Sequence, residues 1–205
     1  MNLLLMLKFG KKTWNERNIL FNVSVSLLFI CNISLAQKIE REFRVAKKEF
    51  PTRAIDFLKQ AKIDLDKVKW FEEIQNDQFF FEAKVKVDKH LYSIKFDSLG
   101  NLQDIEKLVV FKKMSVETQN MLSSELKKEL GKFKIIKTQI QFTNCEMDKI
   151  TLNELSAENS IVRYEIELYF KKDTSKKLME YLISDKGEIL SAQEIVIRST
   201  ENLTY

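Results

Sequence analysis

Apolar and polar residues alternate over two long stretches of the chain. In Gln78 to Val87 the odd positions Phe79, Phe81, Ala83, Val85 and Val87 are apolar and most even neighbours are charged. In Ile161 to Phe170 the even positions Val162, Tyr164, Ile166, Leu168 and Phe170 play the same part. Period two over such lengths predicts antiparallel strands with one face on a core and the other toward water. Shorter alternations at Tyr92, Ile94 and Phe96, and at Met179, Tyr181 and Ile183, predict the returning strands of hairpins. Residues 39–45 read as a short strand or arm.

Helical periodicity appears twice. Ala54, Ile55, Leu58 and Ala61 recur at three- and four-residue spacing behind Phe50-Pro51, and proline suits a first helical position. Leu122, Leu126 and Leu130 line one face of a second helix over about 116–130, with Ser115 as its N-cap and Gly131 as the residue that ends it. The segment Leu91 to Leu102 recurs 87 positions later as Leu178 to Ile189, each copy a strand, a glycine-bearing turn and the start of another strand. The pattern predicts an α+β fold of two helix-plus-antiparallel-meander repeats. They share one roughly eight-stranded sheet with the helices on one face. The first repeat, with its N-terminal arm, spans 37–111. The second spans 112–205 and carries a polar insertion over 144–160, expected as a loop or short helix, and a C-terminal tail.

Residues 1–36 stand apart from this pattern. Lys8, Lys11, Lys12 and Arg17 precede a mostly apolar stretch from Ile19 to Ile33, too short for a membrane span, and Ser34-Leu35-Ala36 places small residues at a cleavage site before Gln37. This reads as a signal peptide, with an exported chain, periplasmic or extracellular, and no span left after cleavage. Four of the 34 basic and one of the 30 acidic residues lie in it, which leaves 30 against 29. The basic excess of the whole chain thus belongs to the leader, and the footprint of a nucleic-acid binder is missing. The remaining chain retains one cysteine, Cys145, so it forms no internal disulfide; a buried or inert thiol is the simple reading, an intermolecular bond the other.

The order helix, Val68-Lys69-Trp70, alternating strand, then Tyr92-Ser-Ile-Lys-Phe-Asp-Ser-Leu-Gly-Asn101 resembles the PepSY-like proteins. These are similar to a β-lactamase-inhibitor-type fold in which two α-β units share one antiparallel sheet. The second copy departs from the pattern through its insertion and through Ser184-Asp185 in place of Asp97-Ser98. The matching positions are a turn glycine, an aspartate and alternating aromatics, so the resemblance carries over no catalytic residue. It implies a non-enzymatic binding or inhibitory module outside the cytoplasm, without cofactor.

A search for chemistry agrees. His90, the lone histidine, falls in a turn, and one histidine with one distant cysteine makes no metal cluster. Glu72-Glu73 and the pair Glu165/Glu167 read as parts of a solvated polar face rather than as an acid and a base. Asp97-Ser98-Leu99 matches an O-glycosylation tripeptide and equally an ordinary turn. No catalytic, metal or cofactor-binding residue is assigned. What remains is a set of aromatics on otherwise charged strand faces. Phe71, Phe80 and Tyr169, with Lys84, Lys86 and Arg163, would form an aromatic and basic patch on the open sheet face. Such patches anchor interfaces, although an overlying segment would account for them too. The expected partner is a protein or peptide of the cell envelope; a structural or assembly role in the envelope is the alternative.

Overall fold

The computed structural model describes residues 36–38, 40–145, 151–172 and 175–195. The segment 1–36 expected as a signal peptide, apart from Ala36, and the C-terminal tail lie outside the described residues. The chain runs β1 (Ala36–Lys38), β2 (Glu40–Arg44), α1 (Thr52–Gln60), β3 (Lys69–Gln75), β4 (Gln78–Val87), β5 (His90–Asp97) and β6 (Leu102–Leu108). It continues with α2 (Val116–Leu130), β7 (Phe133–Thr143), β8 (Ile161–Lys172), β9 (Ser175–Ser184) and β10 (Ile189–Ile195). The described residues form an α+β fold, with one largely antiparallel sheet and two α-helices.

Local chemistry explains these elements. Ser115 caps α2, its hydroxyl accepting from Thr118 N at 3.1 Å, and Gly131 ends the helix at φ +69°. Pro51 sits one position before α1, and Phe50 folds back to stack edge-on against Trp70 at 4.6 Å. The β3–β4 and β4–β5 turns place Asn76-Asp77 and Asp88-Lys89 at positive φ, the two-residue geometry that matches strand twist. Gly100 and Gly187 occupy the same place in their turns. Each amide donates to the carbonyl three residues back (Asp97, Ser184), and the side chain of that residue accepts two further amides.

The sheet holds ten strand segments rather than the eight expected from the two meanders, because the N-terminal arm takes part. Strand order is β1-β10-β9-β8-β7-β6-β5-β4-β3-β2. The two ends of that order are β1 and β2, and a single residue separates them in the chain. Residues two apart lie at most about 7 Å from each other, so the two edges of the sheet meet and the sheet closes on itself. β1 and β2 therefore act together at the seam, β1 paired with β10 and β2 with β3. Nine strands in alternating direction bring the first and last round the same way. That is why β1–β10 is the parallel pairing in an otherwise antiparallel sheet.

Closure decides which face is inside. Ala54, Phe57 and Leu58 of α1 pack on Trp70, Ala83, Ile94, Phe96 and Ile105, while Leu122 and Leu126 of α2 pack on Ile166, Leu168, Met179, Tyr181 and Ile183. Both helices thus cover the apolar face, which is the outer one. The insertion helps: a short turn at Leu152–Glu154 buries Leu152 against the first cluster, and its carbonyl accepts from the Tyr92 hydroxyl at 3.4 Å. Phe79 departs from the expected inward set. It lies at the start of β4, beyond the reach of α1, and is 54% exposed.

Candidate functional site: a charged cavity inside the sheet

The polar face of the strands, expected to face open water, lines the interior of the closed sheet. Glu165 and Glu167 are half-buried rather than solvated, and Glu73, Glu82 and Glu180 are buried outright. Strand alternation specifies two faces but not which of them is concave, which is why this face reads as a solvated surface in sequence. A cavity of about 250 Å³ lies on it, lined by residues from every strand except β1 and β3. A barrel of eight or so strands leaves room for side chains or one small ligand. This volume falls below the usual range for drug-sized ligand pockets. It suits a single side chain or a hydrated ion rather than a nucleotide-sized cofactor.

The lining contains six glutamates (42, 82, 106, 165, 167, 180) and three lysines (84, 95, 137). Charges removed from water are tolerated when they are paired and hydrogen-bonded, and the lysines do this in turn. Lys95 of β5 reaches across β4 to both oxygens of Glu73, each at 3.0 Å. Lys84 bridges Glu42 at 2.8 Å and Glu82 at 3.1 Å. Lys137 holds Glu167 at 2.8 Å. Burial opposes the charge on each lysine, yet the neighbouring carboxylates outweigh it and all three titrate above the usual lysine value. Amides complete the wall: Gln139 Nε2 donates to Glu106 at 2.7 Å, and Ser93 Oγ donates to Glu82.

Among the described lining residues carboxylates outnumber lysines. Asp104 and Glu106, side by side on β6, are pushed up to about 6 and about 7 by burial, with each other's neighbourhood of acids adding to the effect and Lys95 opposing it. Neither stands out in the sequence, because isolated acids on an alternating strand give no signal of burial. Their opposition to Lys95 and Ser93 across β5–β6 is the signal that could have found them.

The residues expected to form a partner-binding patch are divided by the structure. Phe71, Phe80 and Lys84 come together on the wall of the first half of the sheet. Lys84 Nζ lies 5.0 Å from the Phe71 ring centre, and Lys95 Nζ lies 5.6 Å from that of Phe80. These half-buried rings brace lysines of the cavity. Tyr169 belongs to the far end of β8, with Lys176 Nζ 3.7 Å from its ring centre; Arg163 stands near the other end of that strand, opposite Gln141 and Ser184. Lys86 is exposed. His90 is exposed at the β4–β5 turn, its ring edge-on to Tyr92 at 6.5 Å. Cys145 is half-buried, and burial pushes its thiol up to about 11, which keeps it protonated and unreactive at neutral pH. In the Asp97-Ser98-Leu99 turn Ser98 is exposed, and Asp97 is engaged with the amides of Leu99 and Asn101. No helix among the described residues is long and apolar enough to cross a membrane.

Neither a family model nor a curated protein matches the chain. Among solved structures it is similar to a DUF2874 family protein from Bacteroides ovatus ATCC 8483. The two are 12% identical with a TM-score of 0.49, over 70% of this chain and 86% of that one.

Proposed function

We propose that the protein is an exported, non-catalytic binding module of PepSY-like type, built as two helix-plus-four-strand repeats, that takes a basic side chain of a protein or peptide partner into its charged cavity. The observation that supports this reading most is the gathering, among the described residues, of six glutamates and three lysines on one cavity wall. A sheet closed around apolar residues would be easier to stabilise than one closed around acids, and buried ionisable clusters mark functional places more often than chance. An acidic, narrow cavity favours a long cationic side chain over anions or flat aromatic ligands. Its lysines keep the acids apart and set the position the incoming charge would occupy. The Lys137 side chain is 38% exposed and that of Lys84 37%, so the wall is reached from solvent. Phe71, Phe80, Tyr169, Lys84, Lys86 and Arg163, on the same sheet face, are the proposed contacts for the rest of the partner.

Titration calorimetry at low salt in EDTA tests this with short oligolysine and oligoglutamate peptides. Oligolysine is expected to bind, and Glu82→Gln combined with Glu180→Gln to weaken it about tenfold, as loss of a charged contact typically does. Equal binding of both peptides, or no effect of the double substitution, sinks the reading. The triple variant Phe71→Ser, Phe80→Ser, Tyr169→Ser separates contact from support. Loss of peptide affinity at unchanged melting temperature marks contacts, and loss of stability marks bracing.

A further inference from the structure

Outside the cavity, register gathers a second group of side chains. β4 ends and β5 begins at one rim of the closed sheet, and the antiparallel order brings the β8–β9 hairpin to that same rim. Side chains two positions beyond a cavity residue share its face, so register fixes what surrounds this mouth. Arg44 follows Glu42 on β2, Lys69 stands opposite Lys84, and Lys86 follows Lys84 on β4. Lys134 stands opposite Tyr169, itself two positions past Glu167, and Lys171 pairs with Lys176. All six cations are exposed, and none of them forms an ion pair among the described residues. Two leucines interleave with them. Leu91, opposite Lys86, is 50% exposed, and Leu108, two positions past Glu106, is 37% exposed.

We propose that this rim docks on the surface of an anionic lipid bilayer, its lysines over the headgroups and Leu91 and Leu108 between them. The inference goes beyond the cavity reading and does not rest on it. Charge distribution is its first support. Residues 37–205 are nearly balanced, with 30 basic and 29 acidic residues, yet the two signs are set apart. Glutamates line the cavity, whereas cations without ion-pair partners among the described residues ring this mouth. The acids nearest the rim are already engaged. Glu42 and Glu82 are bridged by Lys84, and Asp88 in the β4–β5 turn accepts from the Asn153 amide at 2.7 Å. The surface that meets solvent at this end is therefore positive, and its complement is an extended negative one.

Residue type favours a bilayer over an acidic protein. Arg44 apart, the cations are lysines, compact hydrated charges that lack the planar fork with which arginine grips a carboxylate. Attraction to a charged surface needs no fork, and each lysine close to anionic headgroups strengthens binding about fivefold. Exposed aliphatic side chains among the lysines supply the second component of interfacial binding, which adds apolar burial to that attraction. Tyr169, half-buried with Lys176 Nζ 3.7 Å from its ring centre, adds an amphipathic ring of the kind that suits a membrane interface.

The test uses Leu35–Tyr205, a compact unit that holds every described strand and helix, so that the apolar leader cannot insert in place of the rim. Co-sedimentation compares vesicles of phosphatidylcholine alone with vesicles of phosphatidylcholine and phosphatidylglycerol in equal parts. Binding is expected only to the anionic vesicles, and to fall as salt is raised. Lys86→Gln, Lys134→Gln and Lys171→Gln together are expected to weaken it about a hundredfold, the product of three such contacts. Leu91→Ser with Leu108→Ser is expected to weaken it at least fivefold or so through lost apolar burial. Arg41→Gln, Arg53→Gln and Lys186→Gln remove as much charge near the turns of the opposite rim. They are expected to change binding by about twofold or less, since charges beyond a Debye length are screened. Equal binding to neutral vesicles, or equal losses in the two triple variants, overturns the proposal. So does a leucine double variant that binds like the parent, which would make an acidic protein the better fit.

Discussion

At the scale of single residues the interior carboxylates dominate the behaviour of the molecule. Asp104 stands opposite Lys95 and Glu106 opposite Ser93, and burial raises their pKa values to about 6 and about 7 from ordinary values of 3.8 and 4.5. The folded chain therefore keeps protons that the unfolded chain releases. Stability from this source is complete below about pH 4, falls as the pH rises through both folded values, and is gone above about pH 7. One pKa unit is worth about 1.4 kcal/mol, so the loss amounts to a few kcal/mol. The lysines that titrate high act above pH 10. Asp64, Asp97 and Glu154, whose pKa values are lowered by hydrogen bonds, act below pH 4.5. Neither group masks the window between. Urea unfolding in EDTA is thus expected to give a lower midpoint at pH 8 than at pH 5. The double substitution Asp104→Asn, Glu106→Gln should flatten the difference by gaining stability at pH 8. A parent midpoint that stays level or rises from pH 5 to pH 8 contradicts the desolvation of these two half-buried acids.

At the scale of elements, the two glycine turns dock on the two helices, though not equally tightly. Gly100 has φ +82°, and a Cβ there would meet the backbone nitrogen of Ala54 and Cβ of Pro51, both at 2.9 Å. Gly187 has φ +90°, but its Cβ would meet Met121 Cγ at 3.0 Å, part of a flexible side chain. Both substitutions to alanine carry the left-handed backbone penalty of about 1 kcal/mol; only Gly100→Ala must also push α1 away from the sheet. Gly100→Ala is expected to cost about 2 kcal/mol or more in urea unfolding and Gly187→Ala about 1 kcal/mol. Equal losses would show that the first turn does not set the seat of α1. These elements were largely legible in sequence. Alternation marked the strands because side chains on a pleat obey period two, and Ser115 and Gly131 marked the ends of α2 because helix ends need those chemistries. The concavity of the sheet was not legible. It depends on residues 36–44 pairing with both β10 and β3, a long-range fact that no local period records. The reading of Glu165 and Glu167 as parts of a solvated face fell with it, since both are half-buried.

At the scale of the whole molecule, one strand closes the sheet, and its removal tests that architecture. Residues 36–44 pair with five consecutive residues of β3 and three of β10, and Glu42 supplies one partner of Lys84. Without this strand β3 and β10 become free edges, and exposed edges with unpaired amides recruit other chains. Lys84 would lose one of its two carboxylate partners, and the cavity would open along its length. The apolar outer face would be less affected, since α1 and α2 pack on strands away from the seam through Ile94, Ile105, Ile166 and Tyr181. A chain starting at Val45 is therefore expected to keep its helices by circular dichroism yet lose amide protection in β3 and β10, where hydrogen exchange should quicken by at least tenfold. Exchange in β5 to β8 should change much less, because their partners remain on both sides. Size-exclusion chromatography should show self-association that grows with concentration. If instead the shortened chain stays monomeric and β10 exchanges as slowly as before, the first strand is a passive arm, and the closure of the sheet, with the enclosed charge that follows from it, would have to be abandoned.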